Sequence, residues 1–195
     1  MMCPFPKHMS TTIDQLPTVP VPVSRMKVLI TREQITKRVA EMGQEITRDF
    51  QGQTVLLIGV LKGATIFLSE LARAIELDAT FDFFGVSSYA DRTQQSGEVR
   101  LTKDVDSSLE NKNVILVEDI LDTGLTMNFL TRTLLLRGPA SVAIATLLDR
   151  PYRRLVADLP VRYVGFTVPD ELFVGYGFDL DERYRNLPDL YIRAA

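Results

Sequence analysis

One run, Val114–Met127 (VILVEDILDTGLTM), constrains the fold of this chain more than any other stretch. Val114, Ile115, Leu116 and Val117 are unbroken, mostly β-branched apolar residues, the pattern of a strand buried on both faces. Glu118 and Asp119 follow, where such a strand is expected to end. Asp122, Thr123, Gly124 and Thr126 then form a short polar loop before an apolar pattern of helical period. A strand, a hydroxyl-rich loop with one glycine and a helix N-terminus make a phosphate cradle, because backbone N–H groups and the helix dipole both point at the anion. The adjacent carboxylates cannot bind phosphate themselves, so they must serve hydroxyls, a metal ion or a proton. The combination suggests a sugar phosphate.

The rest of the chain surrounds this run with alternating strands and helices. Thr31 with Gln34 fits a capping box, and Ile35, Val39, Met42, Ile46 and Phe50 recur at helical spacing up to a stop at Gly52. Residues 54–58 read as a buried strand, followed by Gly59-Val60-Leu61-Lys62-Gly63 and a helix carrying Phe67, Leu68, Leu71 and Ile75. Further strands are predicted over 81–86, 142–148 and 161–168, with a short apolar stretch at 172–176. This alternation predicts an α/β fold, a mainly parallel twisted sheet with helices on both faces, whose ligand sits at the carboxyl ends of the strands. Polar clusters follow the strands at Lys62, Ser88-Tyr89, Glu118 to Thr126, Arg150 and Asp179. Their convergence predicts a single site. Residues 1–24, with five prolines and little period, read as a flexible leader, and 25–195 as one domain. Residues 87–112 are polar and read as a long loop, of the kind that serves as a lid or stays disordered.

Composition removes several alternatives. No stretch reaches the ~18 uninterrupted apolar residues of a membrane span. A formal charge of −3 with intermixed signs disfavours a nucleic-acid binder. Cys3 is the only cysteine and His8 the only histidine. An internal disulfide, a thiol metal site and a histidine triad are thereby excluded, and a reducing cytoplasm is the default location. Acid–base chemistry is left to carboxylates, lysine or tyrosine. The P-loop pattern GxxxxGK[ST] is missing, and Gly175-Tyr176-Gly177 lacks the third glycine of a dinucleotide fingerprint.

VILVEDILDTGLTM resembles the diphosphoribosyl-binding signature of type I phosphoribosyltransferases, and its Glu-Asp pair with Asp-Thr-Gly-x-Thr is similar to the 6-oxopurine branch. Leu61-Lys62-Gly63, Ser88-Tyr89, Leu148-Asp149-Arg150-Pro151, Val174-Gly175-Tyr176-Gly177 and Tyr184-Arg185-Asn186-Leu187 extend the resemblance in the right order, from about Lys27 to Tyr191. The resemblance implies a type I phosphoribosyltransferase fold with a small hood and a mobile loop, here 87–108 led by Ser88 and Tyr89. It also implies transfer of a phosphoribosyl group from phosphoribosyl diphosphate to hypoxanthine or guanine, with magnesium, in a homodimer or homotetramer.

The same resemblance gives each cluster a role. Thr123, Gly124, Leu125 and Thr126 would wrap the 5′-phosphate. Glu118 and Asp119 would accept from the ribose hydroxyls and bear on magnesium, and Asp179 would hold a second magnesium. Asp122 would be the general base, a role favoured over its alternative as an N-cap of the helix that follows. Lys62, Gly63 and Arg185 would hold pyrophosphate. Arg150 stands where the family usually has a lysine facing the purine 6-oxo group. Leu172 stands at the usual stacking aromatic, so that either Phe173 stacks or Leu172 forms an apolar wall. The rival readings are a non-catalytic RNA-binding regulator on the same fold and a phosphoribosyltransferase for xanthine, adenine or a pyrimidine.

Overall fold

Helix α1 (Arg32–Asp49) begins at the predicted capping box. Gln34 N–H donates to Thr31 Oγ1 at 3.3 Å, and Thr31 N–H donates to Gln34 Oε1 at 2.9 Å. Ile35, Val39, Met42 and Ile46 are buried along one stripe, as their spacing predicts. The computed structural model describes residues 26–88 and 99–193; the proposed leader and Tyr89 lie outside the described residues.

The central sheet contains β2 (Val55–Leu61), β3 (Ala79–Ser88), β4 (Val99–Lys103), β5 (Asn113–Leu121), β6 (Ser141–Asp149) and β7 (Val161–Thr167). Their spatial order is β4-β3-β2-β5-β6-β7, parallel throughout except for the antiparallel edge strand β4. Helix α2 (Thr65–Ala74) links β2 to β3, and α3 (Leu125–Leu135) links β5 to β6. Ile115 and Val117 join the apolar layer shared with α1 and α2, whereas Val114 and Leu116 join the layer beneath α3. This two-sided burial is why the strand reads as an unbroken apolar run.

A second, three-stranded antiparallel sheet, ordered β1-β9-β8, forms a hood from β1 (Met26–Ile30), β8 (Phe173–Val174) and β9 (Leu190–Arg193). Neither β1 nor β9 is visible in the sequence pattern. Each is short, and each is defined by pairing with the other across almost the whole chain (Met26 with Arg193, Lys27 with Ile192). The polar stretch 87–112 also differs from the loop reading, because β4 lies within it. An edge strand needs one covered face, and Leu101, packed against the layer under α3, supplies it without a recognisable apolar run. Beyond β4 the chain is anchored by buried Leu109 and by a two-point pair between Arg137 and Asp104, both contacts at 2.8 Å.

Strand β5 corrects a further expectation. It does not end at the acidic pair but runs on to Leu121, because its ladder with β6 continues to Leu121↔Asp149. Its ladder with β2 stops earlier, at Gly59↔Val117, while β2 continues along β3 to Leu61↔Gly85. The two central strands therefore part at the level of Glu118, and their crossover helices lie on opposite faces. This is the crevice in which open α/β sheets bind ligands. Among the described residues no helix is long and apolar enough to cross a membrane.

Helix α1 packs closely on the C-terminal end of α2. A Cβ added at Gly43 would fall on the Ala74 backbone and 2.6 Å from Ala74 Cβ. Gly43→Val should therefore destabilise the protein by about 1–3 kcal/mol through overpacking, measured as a lowered midpoint in urea unfolding.

Candidate active site

Glu118 and Asp119 lie on the floor of the crevice where β2 and β5 part. Asp119 Oδ1 accepts the N–H of Ile120 at 2.7 Å, and Glu118 Oε2 is buried with no hydrogen-bond partner. Burial, reinforced by the charge of Asp119, holds the Glu118 carboxyl well above the usual range. Burial also pushes Asp119 up to about 6, against the opposing effects of the Ile120 N–H and Arg185. The facing segment after β2 leaves room for these acids only because residue 63 is glycine. A Cβ there would coincide with the Asp119 carboxylate. The peptide Leu61–Lys62 in this segment is cis.

The loop after β5 turns at Gly124, with φ +84°, directly into α3. A helix started this way leaves its first N–H groups without intrahelical partners, and Thr126 in its first turn lines the same crevice. Leu125 N–H donates to Thr123 Oγ1 at 3.4 Å. The loop is held from outside by residues 150–156. Arg154 Nε donates to Asp122 O at 3.0 Å and its NH2 to Leu121 O at 3.4 Å, and the same guanidinium pairs with Asp149. Leu155 N–H and Val156 N–H both donate to Thr123 O, at 2.9 and 3.3 Å.

On one side of the acids, a cleft of about 250 Å³ is lined by Gly63, Glu118, Asp119, Thr126, Asp179 and Arg185, among others. Arg185 NH2 pairs with Asp179 Oδ1 at 2.7 Å and stands 3.4 Å from Glu182 Oε2, which lies 2.9 Å from Lys62 Nζ. Gly177, with φ +103°, brings the hood against this segment, since a Cβ there would strike the Gly63 carbonyl. On the other side is a more open pocket of about 460 Å³ whose lining includes Asp122, Arg150, Arg153, Asp170, Leu172 and Phe173. Arg150 is buried, with NH1 on Asp170 at 3.1 Å, NH2 on Glu171 O at 2.9 Å and its guanidinium 5.2 Å from the Phe173 ring centroid. Asp122 Oδ1 is buried without a hydrogen bond; Arg153 Nε stands 3.4 Å from it and Arg150 NH1 3.8 Å from Oδ2.

The chain that carries this crevice is similar over most of its length to known proteins. The profile of the phosphoribosyl transferase domain matches residues 30–181. The hypoxanthine-guanine phosphoribosyltransferase of Staphylococcus aureus is 46% identical over 162 residues, covering 83% of this chain and 90% of that protein. Its counterpart in Mycobacterium tuberculosis is 46% identical over 166 residues, covering 82% of each. The crystal structure of the Bacillus anthracis hypoxanthine-guanine phosphoribosyltransferase aligns with a TM-score of 0.81 at 46% identity, covering 85% of this chain and 97% of that one. The chain belongs to the phosphoribosyltransferase family.

Within this phosphoribosyltransferase, the fold brings together Lys62, Gly63, Glu118, Asp119, Asp122 to Thr126, Arg150, Phe173, Asp179 and Arg185, drawn from five separate segments. Ser88 closes β3; Tyr89 lies outside the described residues. Phe173 is 4% exposed and packed edge-on against Phe178, whereas Leu172 is 56% exposed on the pocket rim. Among the described residues no group of three or more His, Cys, Asp or Glu side chains is arranged to hold a metal ion by itself. Three charged residues were not legible in sequence. Arg153 faces Asp122, Arg154 clamps the loop carbonyls, and Glu182 meets Lys62. Arg153-Arg154 and Asp181-Glu182 read as ordinary surface charge, and only tertiary structure shows what they touch.

The two upward carboxyl shifts carry a sign for stability. The unfolded chain releases these protons at lower pH than the folded one, so the contribution of these two groups to ligand-free stability is fully present below the ordinary carboxylate range and is lost as pH rises, for Asp119 through about 6. Glu118→Gln removes a buried charge. Its melting temperature without ligands should exceed that of the parent at about pH 8, and the gap should shrink toward about pH 4, as read by scanning calorimetry.

Proposed function

We propose that this phosphoribosyltransferase acts in purine salvage, joining hypoxanthine or guanine to the phosphoribosyl group of phosphoribosyl diphosphate and releasing pyrophosphate. The observation that carries this reading is the placement of Asp119 between two pockets that it lines in common, one shared with Arg185 and the unpartnered Glu118 Oε2 and the other with Asp122 and Arg150. A substrate with a sugar diol at its centre, a diphosphate on one side and an incoming base on the other fits that order. The names of the relatives support the same substrates.

Backbone N–H groups of residues 123–126 and the Thr123 and Thr126 hydroxyls receive the 5′-phosphate, an anion site at a helix N-terminus. Glu118 and Asp119 accept from the ribose 2′- and 3′-hydroxyls, which satisfies the orphaned Glu118 oxygen. Lys62, the Gly63 backbone and Arg185 hold the diphosphate. Asp122, whose Oδ1 has no hydrogen bond to lose, takes the proton from the purine ring nitrogen as it attacks the anomeric carbon. The leaving group departs with the C–O bonding pair, and the cations that already bind it stabilise its charge.

Magnesium, which phosphoribosyltransferases generally use, supplies charge neutralisation on the diphosphate when bound. Glu118, Asp119 and Asp179 are the carboxylates suited to hold it, together with substrate oxygens and water, since the protein alone offers too few ligands. In the base pocket, Arg150 and Arg153 supply donors for the 6-oxo group. Leu172 is the apolar wall; Phe173 supports the Arg150 guanidinium from within the core. A dimeric or tetrameric assembly and a cytoplasmic location follow from the family resemblance.

Pyrophosphate release from phosphoribosyl diphosphate and magnesium should occur with hypoxanthine and guanine. Turnover with adenine or uracil, and with neither 6-oxopurine, would refute the reading. Asp122→Asn should lower kcat by about 10²–10⁴-fold, the usual contribution of a general base, while the KM for phosphoribosyl diphosphate changes little. Steady-state kinetics in both substrates separates the two effects.

A further inference from the structure

The two cations assigned to pyrophosphate already share a carboxylate. Glu182 Oε2 lies 2.9 Å from Lys62 Nζ and 3.4 Å from Arg185 NH2, so one oxygen bridges both cations. The backbone adopts an unfavourable shape to put it there. Asp181 and Glu182 are successive non-glycine residues in the left-handed region, at φ 53° and 63°, and Tyr184 follows at 73°. Asp179 fixes the turn. Its Oδ2 accepts the Glu182 N–H at 2.9 Å while Oδ1 pairs with Arg185 NH2 at 2.7 Å.

Neither partner of the outer pair is sequestered: the Lys62 and Glu182 side chains are 66% and 63% exposed. Such a contact is screened and easily broken, and contributes little as a structural tie. Its consequence for anion binding is direct. A phosphate oxygen that approaches Lys62 and Arg185 must displace the carboxylate already bound to them, and whatever those contacts contribute is subtracted from the affinity of the incoming anion.

We propose that Glu182 is an affinity-determining residue for pyrophosphate, an internal competitor that occupies the cation pair and speeds departure of the leaving group. The proposal rests on the assignment of Lys62 and Arg185 to pyrophosphate made above. A single carboxylate charge does not exclude a multiply charged diphosphate, so substrate still binds. The carboxylate returns to the cations as the product leaves, which opposes rebinding.

The test is product inhibition by pyrophosphate, competed against phosphoribosyl diphosphate, in the full-length magnesium-supplied enzyme. Glu182→Gln preserves size and removes the charge. Its inhibition constant for pyrophosphate should fall by about two- to fivefold, the range that exposed ion pairs convert to. A residue that merely shaped the turn would give the opposite sign, because loosening the cleft weakens pyrophosphate binding. An unchanged or raised constant therefore overturns the proposal. Lys62→Ala tests the underlying assignment separately, since it should raise the constant, and no change there refutes the pyrophosphate cleft itself. Combined with Lys62→Ala, the gain from Glu182→Gln should shrink, and a full gain in that background would place the effect elsewhere and overturn the proposal.

Discussion

The parting of β2 and β5 beyond Gly59↔Val117 is the constraint on which the rest of this structure depends. Up to that pair, the two strands lie at the centre of a sheet covered on both faces, and Val55 to Ile58 and Val114 to Val117 are all buried and apolar. Beyond it, β5 keeps only one strand neighbour, and the space released admits carboxylates that a closed sheet would not tolerate. Glu118 and Asp119 occupy that space at an electrostatic cost visible in their raised proton affinity. A site that carries such a cost without ligands is one whose stabilisation comes with the ligand.

The crevice is closed by glycine from two directions. Gly63 makes room for Asp119, and Gly177 lets the hood backbone reach Gly63. These close approaches tie the cation-bearing segment after β2, the acidic floor and the hood into one unit. The segment 150–156 has the same function on the opposite side. Through Arg150 it lines the base pocket, and through Arg154, Leu155 and Val156 it holds the carbonyls of the anion loop. One short stretch therefore couples the two halves of the site.

Charge is arranged in opposed pairs throughout. Arg150 and Arg153 meet Asp122 and Asp170, and Lys62 and Arg185 meet Asp179 and Glu182. Each cation suited to bind substrate already has a carboxylate partner. Where the cation is largely buried, as Arg150 with Asp170 and Arg185 with Asp179, the pair orients it before substrate arrives. Such pairing preorganises the site, and the carboxylates must yield when a stronger anion enters.

The sequence by itself determined the parts whose cause is local. The capping box at Thr31, the helical stripe of α1, the doubly buried strand at Val114 to Val117 and the loop into α3 all follow from neighbouring residues and their period. The signature residues from Glu118 to Thr126 were legible for the same reason, since strand, loop and helix are consecutive. What tertiary structure decided depends on distant partners. β1 and β9 exist because they pair with each other, β4 because β3 offers an edge, and β5 outlasts its acidic pair because β6 continues beside it. Arg153, Arg154 and Glu182 have the composition of solvated surface. Their positions against Asp122, the loop carbonyls and Lys62 come from chain segments that meet only after folding, and no local spacing encodes such a meeting.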